Sequence, residues 1–366
     1  MNITERVDQL VRPDILTLKP YVSKIYPNVV KLDANENPFA WPTGMKEELF
    51  GWSGEGGQGF EFNRYPDGEA RALKQALSQY TETAEDNLLT GNGSDELIQL
   101  LLSVFGGPKR TLLIHPPTFV MYEAAARVTG TEVERVPLLG GVNLDVEEML
   151  RASENPAVSV IILCSPNNPT GSLFAQEDIL RIVRESGKIV VVDEAYAEFS
   201  EASVKREINR YPNLLVMRTF SKAFGLAGLR LGYLIGQAGT ISLLNRARQP
   251  FNVNAFSQKA GVVALRYLEG YREQIRIIQA ETKKMASDLG KLPGLRVFPT
   301  AANFILFQPE DADAWAEALL AKGFLVRNLG EIPVLGKSLR VSVGKPEENR
   351  AFLKAVREIA GGGVQA

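Results

Sequence analysis

One acid, one tyrosine and one lysine set the chemistry of this chain. The stretch Val190-Val191-Val192-Asp193-Glu194-Ala195-Tyr196 is followed by Thr219-Phe220-Ser221-Lys222. A short apolar run bounded by turn signals reads as a buried strand, and Lys188 to Val192 fits that pattern. Asp193 then falls at the carboxyl end of a strand, where open α/β sheets bind their ligands. A second run, Leu214 to Met217, delivers Ser221 and Lys222 to the same edge. A carboxylate and an amine presented together suit a cofactor that needs an anion beside a ring nitrogen and a lysine for a Schiff base. Pyridoxal phosphate is that cofactor.

Two loops belong with this pair. Gly91-Asn92-Gly93-Ser94-Asp95-Glu96-Leu97 opens a helical pattern with glycines that let the backbone approach an anion, and a helix start offers unpaired N–H groups. The same residues also suit an ordinary helix start, with Ser94 as cap and two acids in the first turn; those acids would repel a phosphate unless they point away or have another task. Ser165-Pro166-Asn167-Asn168-Pro169-Thr170-Gly171 follows the strand-like run Val158 to Cys164 and reaches the same edge, although its residue types also serve a plain turn. A third stretch, Gly54 to Gly59, matches a dinucleotide-binding fingerprint letter for letter. It has neither the strand before it nor the helix after it that the fingerprint requires, and it reads as a loop.

The elements that position these residues alternate. Thr111 to Ile114, Glu132 to Pro137, Val158 to Cys164, Lys188 to Asp193, Leu214 to Arg218 and Leu231 to Ile235 read as strands. Helical patterns at Ser94 to Phe105, Val120 to Val128 and Gln176 to Glu185 separate them, which implies βαβ units and a mostly parallel sheet. Ala255 to Leu289 has few breakers and reads as one long helix. Beyond it the rhythm changes to a compact α+β unit, with strands at Arg296 to Phe298, Asn303 to Phe307, Phe324 to Arg327 and Ser338 to Val343. Its helices are Ala312 to Lys322 and Pro346 to Ile359. The segment before Pro42 is expected to pack on that unit.

Composition narrows the classes. A chain of 366 residues exceeds the size at which single cores stop growing, so two domains are expected. A net charge of -2 gives no electrostatic reason to expect nucleic acid or an anionic membrane as partner. No apolar run approaches the ~20 residues of a membrane span. A single cysteine, Cys164, favours a reducing compartment, and the N-terminal stretch lacks a signal-peptide core, so a cytoplasmic location is expected.

Taken in order, Ser165 to Gly171, Val192 to Tyr196 and Thr219 to Arg230 resemble the fold-type I pyridoxal-phosphate aminotransferases. Lys31-Leu-Asp-Ala-Asn-Glu-Asn-Pro38, Asn63-Arg-Tyr-Pro-Asp67 and Gly91 to Leu97 narrow the resemblance to the histidinol-phosphate aminotransferase family of histidine biosynthesis. It runs from about Leu32 to Val343. It implies an α/β fold with a three-layer large domain, built on a mostly parallel sheet, plus a smaller α+β domain. Residues 43–260 would form the large domain, and 1–42 with 261–366 the small one. It further implies a homodimer acting on histidinol phosphate, glutamate and 2-oxoglutarate.

The resemblance also assigns roles. Lys222 forms the Schiff base and moves the substrate proton, Asp193 pairs with the pyridine nitrogen, and Tyr196 and Asn168 hydrogen-bond the cofactor's O3′. Gly93, Ser94, Ser221 and Arg230 hold its phosphate, which Tyr65 reaches from the neighbouring subunit, and Asp95 belongs to the cofactor site. Phe119 stacks on the ring; the family often has Tyr there, so one hydroxyl is lost. Asn37, Arg327 and Arg340 meet the substrate. An arginine inside an apolar strand, as Arg340 is, needs a partner, and the resemblance makes an incoming phosphate or carboxylate that partner. The one histidine, His115, reads as structural. An aromatic amino-acid aminotransferase or a threonine-phosphate decarboxylase would share most of the cofactor residues. A cofactor-binding transcription regulator would need a basic domain for which the chain has no room, and a non-catalytic cofactor-binding protein would have no need of Lys222, Asp193 and Arg230 together.

Overall fold

The computed structural model describes residues 7–16, 18, 26–51 and 63–362; the glycine-rich stretch 54–59 lies outside them. The first described strand, β1 (Val30–Leu32), joins the smaller of two sheets. The next seven form the larger: β2 (Leu88–Gly91), β3 (Thr111–Ile114), β4 (Glu132–Arg135), β5 (Val158–Cys164), β6 (Ile189–Asp193), β7 (Leu214–Thr219) and β8 (Gly232–Gly236). Their spatial order is β2-β8-β7-β6-β5-β3-β4, and only β8 runs against the others. The carboxyl ends of β2, β5, β6 and β7 therefore share one edge with the start of β8.

Layering follows from the period of two. In β5, Val160, Ile162 and Cys164 enter one apolar cluster, while Val158, Ile161 and Leu163 enter another. β6 and β7 split the same way, with Val191, Leu215 and Met217 on the first face and Val190, Val192, Leu214 and Val216 on the second. A strand buried on both faces reads as a continuous apolar run, which is why these segments were legible. The helices Gly93–Phe105 and Met121–Thr129 cover the first face, and Val146–Ser153 and Gln176–Glu185 the second. The large sheet is thus the middle of three layers.

The smaller sheet adds β9 (Arg296–Val297), β10 (Phe304–Gln308), β11 (Phe324–Ile332) and β12 (Gly336–Ser342), in the order β1-β11-β12-β10-β9. β1 pairs in parallel with β11, so the N-terminal segment does pack on the C-terminal unit. Trp315 and Leu319 of helix Ala312–Ala321 and Phe352 and Val356 of helix Pro346–Gly362 bury against it.

The expected single helix from Ala255 to Leu289 is two helices, Ala255–Ala264 and Leu268–Gly290. The break lies where tertiary packing overrides local propensity. Leu265 is buried, and a Cβ on Gly270 would stand 2.7 Å from Pro42 Cβ. A Cβ on Gly44 would stand 3.2 Å from the Tyr267 hydroxyl. A straight continuation could not satisfy these contacts with the segment entering the large sheet.

Candidate active site

A cavity of about 760 Å³ opens at the carboxyl edge of the large sheet and is closed on its far side by β11 and β12. Ser94, Asp95, Phe119, Asn168, Asp193, Tyr196, Ser221, Lys222, Arg230, Arg327 and Arg340 all line it. Register explains the convergence. Cys164 pairs with Asp193, and Asp193 with Met217, so β5, β6 and β7 release their loops side by side. Thr219 and Gly91 both pair with Gly232 of β8, which brings the Ser221-Lys222 loop beside the Gly91 to Ser94 loop.

Asp193 is 4% exposed. Its Oδ2 accepts from the Tyr122 hydroxyl at 2.6 Å and its Oδ1 from the Ala195 N–H at 3.1 Å. Burial pushes the carboxyl up to about 6, against the pull of those two donors. The neighbouring Glu194 turns away into a buried cluster: its carboxylate accepts from Arg218 at 2.7 Å, Ser203 at 2.7 Å and the Val204 N–H at 2.8 Å. Adjacent acids thus divide between the cavity and the scaffold behind it.

The Lys222 amine donates to the Ala34 carbonyl at 2.9 Å and lies 5.9 Å from the Tyr196 ring centre. Burial, then the charge of Arg340, push its pKa down to about 8. Desolvation and a like charge both favour the neutral amine. The Tyr196 hydroxyl accepts from Asn35 Nδ2 at 3.0 Å, and burial raises its pKa further out of reach, so it stays a neutral phenol.

The glycine loop is shaped by an arginine. Gly93 has φ +79°, and a Cβ there would stand 2.5 Å from an Arg230 guanidinium nitrogen. A Cβ on Gly232 would stand 2.8 Å from the Ser94 nitrogen. Neither acid of the helix start is left facing the loop alone. Asp95 accepts from Arg230 at 2.8 Å, and Glu96 accepts from the Asn92 N–H and from Asn252.

Arg340 donates to the Asp33 carbonyl at 2.7 Å and to the Asn168 side-chain oxygen, and lies 5.3 Å above the Phe304 ring. Arg327 faces it directly in the β11–β12 register. Like charges opposite one another on a sheet repel, and both line the cavity, so a bound anion would be favoured there.

Three of the sequence-chosen residues, Asn37, Tyr65 and Gly93, do not line the cavity; Gly93 packs against the Arg230 guanidinium behind Ser94. The Asn37 amide donates to the Ala223 carbonyl at 2.8 Å and to Gln274 at 3.0 Å, tying the N-terminal segment to the turn after Lys222. Tyr65 is 81% exposed and stacks on Phe251 with ring centres 4.6 Å apart. His115 is buried, accepts from the Cys164 N–H at 3.0 Å, and is held neutral by burial, which pulls its pKa down to about 3. Sequence reasoning missed Tyr122, Asp33, Ala34 and Asn35. The last three sit within the Asp-Ala-Asn-Glu-Asn-Pro stretch already singled out. Tyr122 lies in the first turn of the helix Met121–Thr129, three residues after Phe119 in the loop that precedes it.

A cavity at this edge of a three-layer sheet, with a buried acid and a lysine on neighbouring strand ends, is the setting in which the comparisons fall. Residues 27–356 match the family described as aminotransferase class I and II, and the chain belongs to that family. A histidinol-phosphate aminotransferase of Desulfitobacterium hafniense is 58% identical over 96% of this chain and 98% of its own length. The structure of the histidinol-phosphate aminotransferase from Clostridium acetobutylicum superposes with a TM-score of 0.82 at 26% identity, covering 91% of this chain and all of that one. The Sinorhizobium meliloti histidinol-phosphate aminotransferase, solved in complex with pyridoxal-5'-phosphate, shares the fold with a TM-score of 0.83 at 24% identity, over 96% of this chain and 98% of its own. Within the class, the chain belongs to the histidinol-phosphate aminotransferases.

Proposed function

We propose that the chain moves an amino group between histidinol phosphate and 2-oxoglutarate, giving imidazole acetol phosphate and glutamate in histidine biosynthesis, with pyridoxal phosphate as cofactor. The observation that carries this reading is the pairing, in one cavity, of Asp193 and Lys222 on neighbouring strand ends with the Arg327–Arg340 pair opposite. The donor set fits the cofactor: a buried carboxylate for a ring nitrogen, an amine for its aldehyde, and a side-chain-free loop at Gly93 against Arg230 for its phosphate. When bound, pyridoxal phosphate supplies an electron sink for negative charge at the substrate carbon.

The chain's own residues do the rest. Asp193 would accept from the ring N–H, and Tyr196 and Asn168 would donate to the ring oxygen. Gly93, Ser94, Ser221 and Arg230 would hold the phosphate, with Arg230 oriented by Asp95. Phe119 would cover one ring face. Lys222, once neutral, takes the proton from the substrate's Cα. Arg327 and Arg340 hold the substrate's phosphate and, in the other half of the cycle, a glutamate carboxylate. With the purified protein and 2-oxoglutarate, histidinol phosphate is the expected best amino donor. A preference for phenylalanine or tyrosine, or release of carbon dioxide from threonine phosphate, would assign the cavity to a different enzyme of this fold.

The reading includes a homodimer with shared sites and a cytoplasmic location. Exposed Tyr65, stacked on Phe251, would reach the neighbouring subunit's phosphate loop. The one cysteine is free and buried, in keeping with a reducing compartment. Mixing Lys222→Ala subunits with Tyr65→Ala subunits should restore activity through hybrid sites that carry neither change. Mixtures that exchange subunits and stay inactive would show that each site is built from one chain. Among the described residues no helix is long and apolar enough to cross a membrane.

A further inference from the structure

We propose that Tyr122 is a positioning residue for this reaction: its hydroxyl fixes the Asp193 carboxylate and keeps it a hydrogen-bond acceptor opposite the pyridine nitrogen. The geometry is specific. Tyr122 is fully buried, and its one polar atom donates to Asp193 Oδ2 at 2.6 Å. That is the length of a charge-assisted O–H···O⁻ bond. Its ring meets the edge of Phe119, with centres 5.6 Å apart at 85°. Phe119, in the loop just before the helix Met121–Thr129, and Tyr122, in its first turn, thus place the ring that would cover the cofactor beside the donor that supports its acid. The far end of the helix Met121–Thr129 is gripped in turn by Arg12, which donates to the Arg127 and Val128 carbonyls at 2.8 and 2.9 Å.

The surroundings of Asp193 explain why a donor is needed. Burial opposes its charge, and Asp95 and Glu194 add like charge. Cys164 and Tyr196 are the other titratable groups nearby, and burial keeps both protonated. Among the described residues the Ala195 N–H and the Tyr122 hydroxyl are the hydrogen-bond donors to the carboxylate. Tyr122 keeps its own proton, because burial and Asp193 both raise its pKa out of reach, so the bond runs in one direction. Each carboxylate oxygen accepts more than one hydrogen bond, which leaves an acceptor site for a ring N–H. Without the hydroxyl, one amide alone opposes burial and two acids, and Asp193 takes up a proton near neutral pH. A protonated Asp193 donates where it should accept.

The role rests on the reading that Asp193 faces the pyridine nitrogen, and the test separates the two. In ligand-free protein labelled with ¹³C at the aspartate carboxyls, with the Asp193 signal assigned through Asp193→Asn, Tyr122→Phe should raise the Asp193 midpoint from about 6 by about one to two pH units. A fluorotyrosine placed at 122 is the stronger donor and should lower it, which keeps the test decisive if the Phe variant folds poorly. Protein loaded with ring-¹⁵N pyridoxal phosphate should then show a protonated ring nitrogen in the unaltered enzyme and a deprotonated one in Tyr122→Phe. A midpoint that neither substitution moves overturns the role of Tyr122. A ring nitrogen already deprotonated in the unaltered enzyme overturns the underlying reading instead.

Discussion

Lys222→Ala should abolish amino transfer, with a loss of at least ~10³-fold, because general acid–base catalysis alone contributes about 10² to 10⁴ and covalent attachment is lost as well. The position explains the size of the effect. Lys222 is the amine at the carboxyl edge of the sheet, beside Tyr196 and within reach of the Ala34 carbonyl. Burial and Arg340 lower its pKa to about 8, so at pH 7.5 about a quarter of the molecules carry a neutral amine, against about one in a thousand for an ordinary lysine. The sign follows directly: capture of pyridoxal phosphate by the ligand-free protein should speed up as pH rises through about 8. It should weaken as pH falls below about 6, where Asp193 is protonated. Visible absorbance on mixing should follow this profile, and borohydride followed by peptide mapping should place the label on Lys222. Lys222→Arg keeps the charge and should be as inactive as the alanine variant. A label on another lysine, or a Lys222→Ala protein with substantial turnover, would remove Lys222 from the centre of the reaction.

How far the sequence carried the site depended on what kind of signal each residue left. β5, β6 and β7 are buried on both faces, so they appear as unbroken apolar runs, and the polar residues that end them mark the sheet edge without further information. Asp193, Ser221 and Lys222 were legible for that reason. The break at Leu265 to Tyr267 left no such mark, because it is imposed by Gly270 against Pro42 and Gly44 against Tyr267, contacts between segments more than two hundred residues apart in the chain. Tyr122 was hidden differently. In the sequence it is one aromatic on an amphipathic helix, and only its hydroxyl's contact with Asp193 distinguishes it from core filling. The backbone carbonyls of Asp33 and Ala34, which hold Arg340 and Lys222, carry no side-chain signature at all. Asn37 shows the opposite case: a motif residue whose amide joins the turn at Ala223 to the helix at Gln274 instead of entering the cavity.

In the proposed function the arginine pair would select the substrate, and its two members should respond differently. Arg340 is 8% exposed and anchored by the Asp33 carbonyl and Asn168, so its guanidinium is fixed before any ligand arrives. Arg327 faces it from the adjacent strand and is less buried. Each charge-assisted hydrogen bond to an anion is worth roughly 1.5–3 kcal/mol, which corresponds to about ten- to a hundredfold in affinity. Arg340→Ala should therefore weaken both histidinol phosphate and glutamate by at least that factor. Arg340→Ala also strips Lys222 of its strongest like-charge neighbour, so the pH profile of cofactor capture should move to higher pH while capture itself survives. That upward displacement separates loss of the anion site from general damage to the cavity. Arg327→Ala should fall more heavily on histidinol phosphate, whose phosphate can carry two charges, than on phenylalanine, which offers a single carboxylate. Single-turnover rates for both donors measure the difference. Equal losses on the two would take Arg327 out of the phosphate site and leave Arg340 alone to hold the anion.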